Sequence, residues 1–346
     1  TVDIGLMSIN YTCFDGNDAF SQSLCLTNTG VNTSKLNRLE KFVMHFKERE
    51  ITKSCEEIHT ILDKIEEIHG LYSPVTLAVA AALACACFTF LLGGGPIEML
   101  CAFAGAGIGN YIRCKLSKHH YTLFLCIIVS ISAACLSYSV MLKLLEICVA
   151  VKVEHEAGYI CAMLFIMYSV IIISVATMTA WVLAMVLGLK PLSFTTMSLG
   201  LWQWIVLRIC ASFGGVFGFS VMFNSPWKLA VAAGIIGAVS NTLRLEMLDI
   251  TSVPAPVAAF AGAVAAGVLA SALKRMVGYP RISITVPSIV IMVPGLYLYK
   301  AVYNLGNMDL SVASSWFASA LLIIFALPLG LIFARILTDK TFRYCT

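Results

Sequence analysis

The stretch from Ile284 to Asn304, ITVPSIVIMVPGLYLYKAVYN, has the length and apolarity of a membrane-spanning helix, yet Pro287, Pro294 and Gly295 interrupt it. A backbone in lipid must satisfy its own hydrogen bonds, so such a break persists only where neighbouring helices or a water-filled cavity accept the freed groups. A helix that restarts at Leu296 turns free N–H groups and the positive end of a half-helix dipole toward the break, which suits a carboxylate. Thr285 and Ser288 precede the break, and Tyr297, Tyr299 and Lys300 follow it, placing hydroxyls and a cation at hand for a small polar solute. Asn110 and Asn241 are amides that can both donate and accept. Each is followed three residues later, on the same helix face, by an arginine, Arg113 or Arg244. Arg113 falls in a basic loop, where surface anchoring accounts for it, whereas Arg244 stands on a poorly charged side. The candidate substrate-binding residues are therefore Thr285, Ser288, Pro294, Gly295, Tyr297, Asn110, Asn241 and Arg244. Glu98 and Asp309 are the carboxylates nearest to span ends and are the candidates for carrying a coupling proton. The plainer readings are a Pro kink that only shapes packing, Tyr297 as an interfacial aromatic, and solvated loop acids.

Other chemistries find no support in the residues. No GxSxG, HExxH or Walker A pattern occurs, which disfavours an enzyme, and His119-His120 has no metal-ligand partner at helical spacing. None of the 13 cysteines falls into a CxxC or a Cys/His zinc spacing, and many lie in apolar segments where Cys acts as a small hydrophobe. Neither a metal nor another cofactor is expected. The net charge of +4 with no long basic run argues against nucleic acid.

With 59% hydrophobic and 12% charged residues, the composition is that of a polytopic membrane protein, whose natural surroundings are the lipid bilayer. Candidate spans run from Pro74 to Leu92, Pro96 to Leu116, Tyr121 to Met141, Leu201 to Phe223, Trp227 to Leu245, Val253 to Met276, Ile284 to Tyr303 and Val312 to Leu337. A further region, Leu144 to Gly188, fits poorly, because the apolar run from Ala157 is long for one span and short for two. Lys and Arg concentrate in the N-terminal region, the loop Arg113 to Lys118, the loop Lys274 to Arg281 and the tail after Arg335. These segments share one side of the membrane if Leu144 to Gly188 crosses twice, giving about ten spans with both termini cytoplasmic.

Residues 1–72 read as a small α+β cytoplasmic domain. VDIGLMSINYTCF and AFSQSLCLT form a β-hairpin around Asp15 to Asp18. Two amphipathic helices follow, one carrying Leu36, Leu39, Val43 and Phe46 and one carrying Ile58, Ile61, Leu62, Ile65 and Ile68 behind a Ser54/Glu57 capping box. A chain opening on Thr1 without an initiator methionine suggests a trimmed N-terminus. Residues 73–190 make a first transmembrane half, 200–338 a second and 339–346 a cytoplasmic tail. The halves repeat: CACFTFLLGGGPIEMLCAFAGAGIGNYIR overlays FGFSVMFNSPWKLAVAAGIIGAVSNTLR, with Pro96 on Pro226 and, after one inserted residue, Asn110 on Asn241 and Arg113 on Arg244. Halves of five spans each must be inverted relative to one another, which places a solute near the midplane between them. The fold class expected is thus an all-α polytopic membrane protein of about ten helices in two inverted five-helix repeats, with a small α+β N-terminal domain. The Gly/Ala runs (Gly105, Gly107, Gly109, Gly234, Gly237 and residues 258–272) are expected to serve close helix packing.

YPRISITVPSIVIMVPGLYLYKAVYNLG is similar to the Pro, then PGxxxY, element in the second half of the threonine/serine exporter family. The hairpin, LEKFVMHFKEREITKSCEEIHTILDKIEEI and the two repeated segments match as well, so the resemblance covers nearly the whole chain. It implies a cytoplasmic N-terminal domain before two five-span halves, sometimes split over two polypeptides, and export of L-threonine and L-serine driven by the proton gradient across the cell membrane. The family's first half carries its own Pro-Gly element in the fourth span. Here Ala157 to Gly188 contains no proline, so either the protein has lost one broken helix, which would put transport in doubt, or residues carrying the element are missing from the sequence inside this stretch; the second also explains the awkward length of the region, and we favour it. Split relatives are associated with dicarboxylates such as succinate, which leaves a dicarboxylate exporter, or a channel for small polar solutes, as alternatives. A homo-oligomeric state stays open.

Overall fold

A computed structural model describes residues 2–4, 8–16, 18–25, 32–68, 70–119, 121–149 and 200–344, together with Val182 and Val186. The anomalous region from 157 to 188, with its missing Pro-Gly element, therefore lies almost wholly outside the described residues. The chain divides into two compact units, Thr1–Asn32 and Thr33–Thr346.

The first unit is an antiparallel sheet of three strands in the order β1 (Val2–Ile4), β2 (Ser8–Asp15) and β3 (Asp18–Cys25). The expected hairpin is β2–β3, with Asp15 paired to Asp18 across the turn. The first expected strand is in fact two, because Val2 to Ile4 fold back to pair Val2 with Tyr11 and Ile4 with Ile9.

The second unit holds all the described helices. α1 (Thr33–Met44) and α2 (Cys55–Glu66) are amphipathic, and α2 starts at the expected capping box: Glu57 N donates to Ser54 Oγ at 3.3 Å while Ser54 N donates to the Glu57 carboxylate at 3.0 Å. The long apolar helices are α3 (Pro74–Leu91), α5 (Leu123–Val149), α6 (Leu201–Met222), α7 (Trp227–Ile250), α8 (Ala255–Val277) and α11 (Leu310–Thr338). α4 (Pro96–Lys118) is as long but ends in Arg113, Lys115 and Lys118. α9 (Arg281–Val290) and α10 (Gly295–Gly306) are the two pieces of the Pro-Gly-interrupted segment, and a short α12 (Lys340–Tyr344) closes the chain. Among the described residues six helices are long and apolar enough to cross a bilayer, and seven if the bent pair α9–α10 is one span.

Small residues bring these helices together, as their spacing predicts. A Cβ built on Gly109 would fall 2.7 Å from Ala134 Cβ of α5, and one on Gly330 of α11 would fall 2.7 Å from Ala263 Cβ of α8.

The two helical hairpins α3–α4 and α6–α7 are local copies. In the first turn Gly93 N donates to Phe90 O and Gly94 N to Thr89 O; in the second Asn224 N donates to Val221 O and Ser225 N to Ser220 O. Gly93 and Asn224 both take a left-handed backbone, φ 93° and 58°, which glycine and asparagine tolerate best. The structure aligns Pro96 with Trp227 rather than with Pro226, since one proline opens its helix and the other precedes it. The insertion expected from the sequence then disappears, and Asn110 meets Asn241, and Arg113 meets Arg244, at the same constant offset.

α3 and α6 also pack on each other, running antiparallel through reciprocal contacts. Gly218 faces Ala84, and Gly215, the counterpart of Ala84, faces Cys87, the counterpart of Gly218. One cluster joins Ala80 to Val221, Met222 and Ala230; its image joins Ala211 to Phe90, Leu91 and Met99. Phe88 meets its own counterpart, Phe219, edge to face with ring centroids 5.7 Å apart. Contacts in which i meets j and j meets i mean that α3 and α6 offer each other equivalent surfaces, with the Phe88–Phe219 pair among them. Equivalent helix ends carry opposite charge: Lys115 and Lys118 on α4 correspond to Glu246 and Asp249 on α7.

The turn after α6 carries one more feature. Thr33 at the start of α1 donates its N–H to Phe223 O (3.2 Å) and its hydroxyl to Ser225 Oγ (3.1 Å). Leu71 N donates to Asn224 Oδ1 (2.6 Å), and the Tyr72 hydroxyl donates to Ser225 O (2.6 Å). Both ends of the α1–α2 segment are thus fastened to one turn.

Candidate substrate site at the broken helix

α9 and α10 meet at 44°. The bend follows from the backbone bonds available. Pro287 has no N–H, and beyond it Ile291 N and Met292 N both turn to Ile289 O, so the carbonyls of Pro287 and Ser288 lose their helical partners. Gly295 N donates to Val293 O, and the first regular bond of α10 is Leu298 N to Pro294 O at 3.1 Å. The N–H groups of Leu296 and Tyr297 therefore face the break with no backbone acceptor among the described residues. Freed carbonyls on one side and freed amides on the other form an electrostatic pair of opposite sign across the break.

α7 supplies the charged group. Asn241 is fully buried; its Nδ2 donates to Ser212 Oγ of α6 (2.9 Å) and its Oδ1 accepts from Arg244 Nε (3.0 Å). Arg244 is half-buried and lies within electrostatic reach of Tyr297 in the first turn of α10. Gly262 of α8 ties this group to the break, since a Cβ there would fall 3.2 Å from Arg244 Cβ and 3.1 Å from Met292 Sδ. Among the described residues no carboxylate pairs with Arg244, whose hydrogen bond to Asn241 is made through Nε.

The other expected residues fall in different places. Pro294 and Gly295 are buried at the bend, and Tyr297 packs edge to face on Trp316 of α11 with centroids 5.5 Å apart. Lys300, one turn on, sets its ammonium 4.6 Å from the centre of the same ring. Thr285 and Ser288 spend their hydroxyl protons on the protein: Thr285 Oγ1 on Arg281 O (3.1 Å), and Ser288 Oγ on Ile284 O (2.7 Å) and Ala233 O of α7 (3.1 Å). Asn110 lies on α4, which packs on α3 and α5, whereas α9 packs on α6, α7 and α8 and α10 on α11. Glu98 is buried in the first turn of α4, and Asp309 caps α11, accepting from Val312 N at 3.3 Å.

Sequence reasoning passed over two features. Trp316 is one, a lone tryptophan in an apolar run. The other is Arg208 of α6, whose Nη1 donates to Glu246 Oε1 at 2.7 Å and whose Nη2 pairs with Asp249, fastening α6 to α7 beside Arg244. An arginine amid apolar residues of a span was the available signal.

Two family models of threonine/serine exporters match the chain, one over residues 1–177 and one, described as "Threonine/Serine exporter, ThrE", over residues 208–337. No curated protein and no solved structure matches. With both models on one polypeptide, either side of the segment at 178–207, the chain belongs to the threonine/serine exporter family of membrane transporters, with both halves fused.

Proposed function

We propose that the protein exports L-threonine and L-serine from the cytoplasm as a secondary transporter driven by the proton gradient, binding its substrate at the α9–α10 break. The observation that carries this reading is that Arg244 lies within electrostatic reach of the Tyr297 side chain, on the turn of α10 whose Leu296 and Tyr297 amides have no backbone acceptor among the described residues. The substrate carboxylate sits between them, the ammonium turns toward the carbonyls of Pro287 and Ser288, and the side-chain hydroxyl reaches Asn241 or Tyr297. Thr285 and Ser288 shape the wall and offer lone pairs, since their protons are already committed. Glu98, buried without a partner among the described residues, is the stronger of the two candidates for the coupling proton, because Asp309 already serves as a helix cap.

The architecture we propose around this site is ten spans in two inverted halves, in the plasma membrane with both termini cytoplasmic. The reciprocal packing of α3 on α6 supports the inversion, and the basic ends of α4 and α8 against the acidic end of α7 support the orientation. Dicarboxylate export is the second reading, favoured by Lys300 on the same face of α10 as Tyr297.

The test uses purified protein in liposomes loaded with labelled threonine, serine or succinate, with efflux followed with and without an imposed pH gradient. Gradient-dependent efflux of threonine and serine, each competing with the other and not with succinate, is the expected result. Movement of succinate alone would transfer the site to dicarboxylates, and flux that never accumulates solute against its gradient would make the protein a channel.

A further inference from the structure

The two pieces of the broken helix are held by different neighbours: α9 packs on α6, α7 and α8, whereas α10 packs on α11. The grip of α11 on the first turns of α10 centres on Trp316. Its ring meets Tyr297 edge to face, with centroids 5.5 Å apart and planes at 62°, and it carries the Lys300 ammonium 4.6 Å from its centre. Both are favoured arrangements, the first of ring edge on ring face and the second of a cation on the negative ring face. Tyr297 and Lys300 stand one turn apart on one side of α10, so a single indole fixes that side on α11.

Tyr297 also reaches the other way, into electrostatic range of Arg244 on α7. Among the described residues its hydroxyl makes no hydrogen bond, whereas the other polar groups of the site are engaged. Asn241 is fully buried and bonded at both ends of its amide, and the hydroxyls of Thr285 and Ser288 donate to backbone carbonyls. Tyr299 is buried and stacks on Tyr303. The Tyr297 phenol is half-buried and can both donate and accept, as a substrate hydroxyl can.

We propose that Tyr297 reads the side-chain hydroxyl of the substrate and that Trp316 is its positioning residue, so that the pair separates threonine and serine from analogues lacking the hydroxyl. This rests on the exporter reading above. L-2-aminobutyrate and L-alanine keep the carboxylate and ammonium contacts but leave the phenol unpaired in a partly desolvated site, which is how a site built for a hydroxyl rejects its deoxy analogue. Trp316 acts through geometry. It holds the Tyr297 ring at one angle, and the hydroxyl lies on the axis of that ring; without the indole the ring turns and the hydroxyl leaves the side of Arg244.

The experiment follows counterflow of labelled threonine in proteoliposomes, competed by serine, L-alanine and L-2-aminobutyrate. Unmodified protein should bind threonine and serine about 10-fold or more tightly than the two analogues. Tyr297→Phe should raise the threonine KM by about 10-fold and leave the inhibition constants of the analogues within about twofold, so that the discrimination disappears. Trp316→Leu should move the same ratio by about 3- to 10-fold with kcat little changed, and Trp316→Phe should restore most of it. Added to Tyr297→Phe, Trp316→Leu should have almost no further effect, because it acts through the hydroxyl already removed. Equal weakening of threonine and the analogues by Trp316→Leu, or its full effect persisting without the hydroxyl, would make Trp316 a packing residue and end the proposal. Unchanged selectivity in Tyr297→Phe would do the same. If Trp316→Leu fails to fold, Trp316→Met, which fills more of the space without a ring, decides by the same ratio. Threonine transport by unmodified protein without discrimination against the analogues overturns this inference alone, whereas no movement of threonine or serine overturns the exporter reading and the inference with it.

Discussion

Arg244 is oriented by what holds it. Asn241 accepts from Nε of this half-buried side chain, so a carboxylate reaching its Nη groups would meet an oriented donor pair. A hydrogen bond to a charged group contributes about 1.5–3 kcal/mol, so Arg244→Gln should weaken apparent threonine affinity by about 10- to 150-fold. The same change should abolish succinate transport if the site accepts dicarboxylates, because a second carboxylate needs a second cation; concentration dependence of counterflow reads both. The Asn–Arg pair was legible in the sequence because a three-residue spacing alone puts both groups on one helix face. The fate of Ser288 was not, since its acceptor, Ala233 O, lies on another helix and nothing local announces it.

At the scale of elements, the breaks and caps were the legible part. Ser54 with Glu57, Ser73 before Pro74, and Pro294-Gly295 act within a turn of chain, so their residue types carry the geometry. The fastening of α1 and of the approach to α3 onto the α6–α7 turn was not legible, because Thr33 and Asn224 are distant in sequence and neither forms a motif with its own neighbours. Asn224 contributes both its left-handed backbone and the Oδ1 that Leu71 N requires. Asn224→Gly keeps the first and loses the second, and Asn224→Ala loses both. Amide hydrogen exchange should therefore quicken in α1 and at Leu71 by a few-fold for Gly and by about 10-fold for Ala, a loss of about 1–2 kcal/mol, with α7 unchanged. Equal protection in all three proteins would show that the turn does not hold the segment.

Across the whole molecule, the contact of α3 with α6 joins the two halves. It is made by alanine, glycine and cysteine, whose small side chains allow backbones to approach. Gly218 lies closest: a Cβ there would stand 2.5 Å from Ala80 O and 2.9 Å from Ala84 Cβ. Gly218→Leu should part the helices at a cost of about 1–3 kcal/mol or more, lowering the melting temperature in detergent, while Leu at the exposed Phe325 should not. Periodicity and composition marked the apolar helices that the structure describes and the likeness of the hairpins α3–α4 and α6–α7, but not which faces meet. Side chains as alike as Ala80, Ala84 and Ala211 carry no label for their partners.

Phe88 and Phe219 press on each other although they hold the same place in two halves of one chain. A surface that meets its own image is self-complementary, so one half copied once would already have possessed the contact that joins the two. Two hairpins of this kind would need no new surface to be joined, because each already offers what the other receives. The likeness stops at charge, since the lysines of α4 stand where α7 carries acids, so a shared backbone plan is fitted with opposite sign at equivalent helix ends.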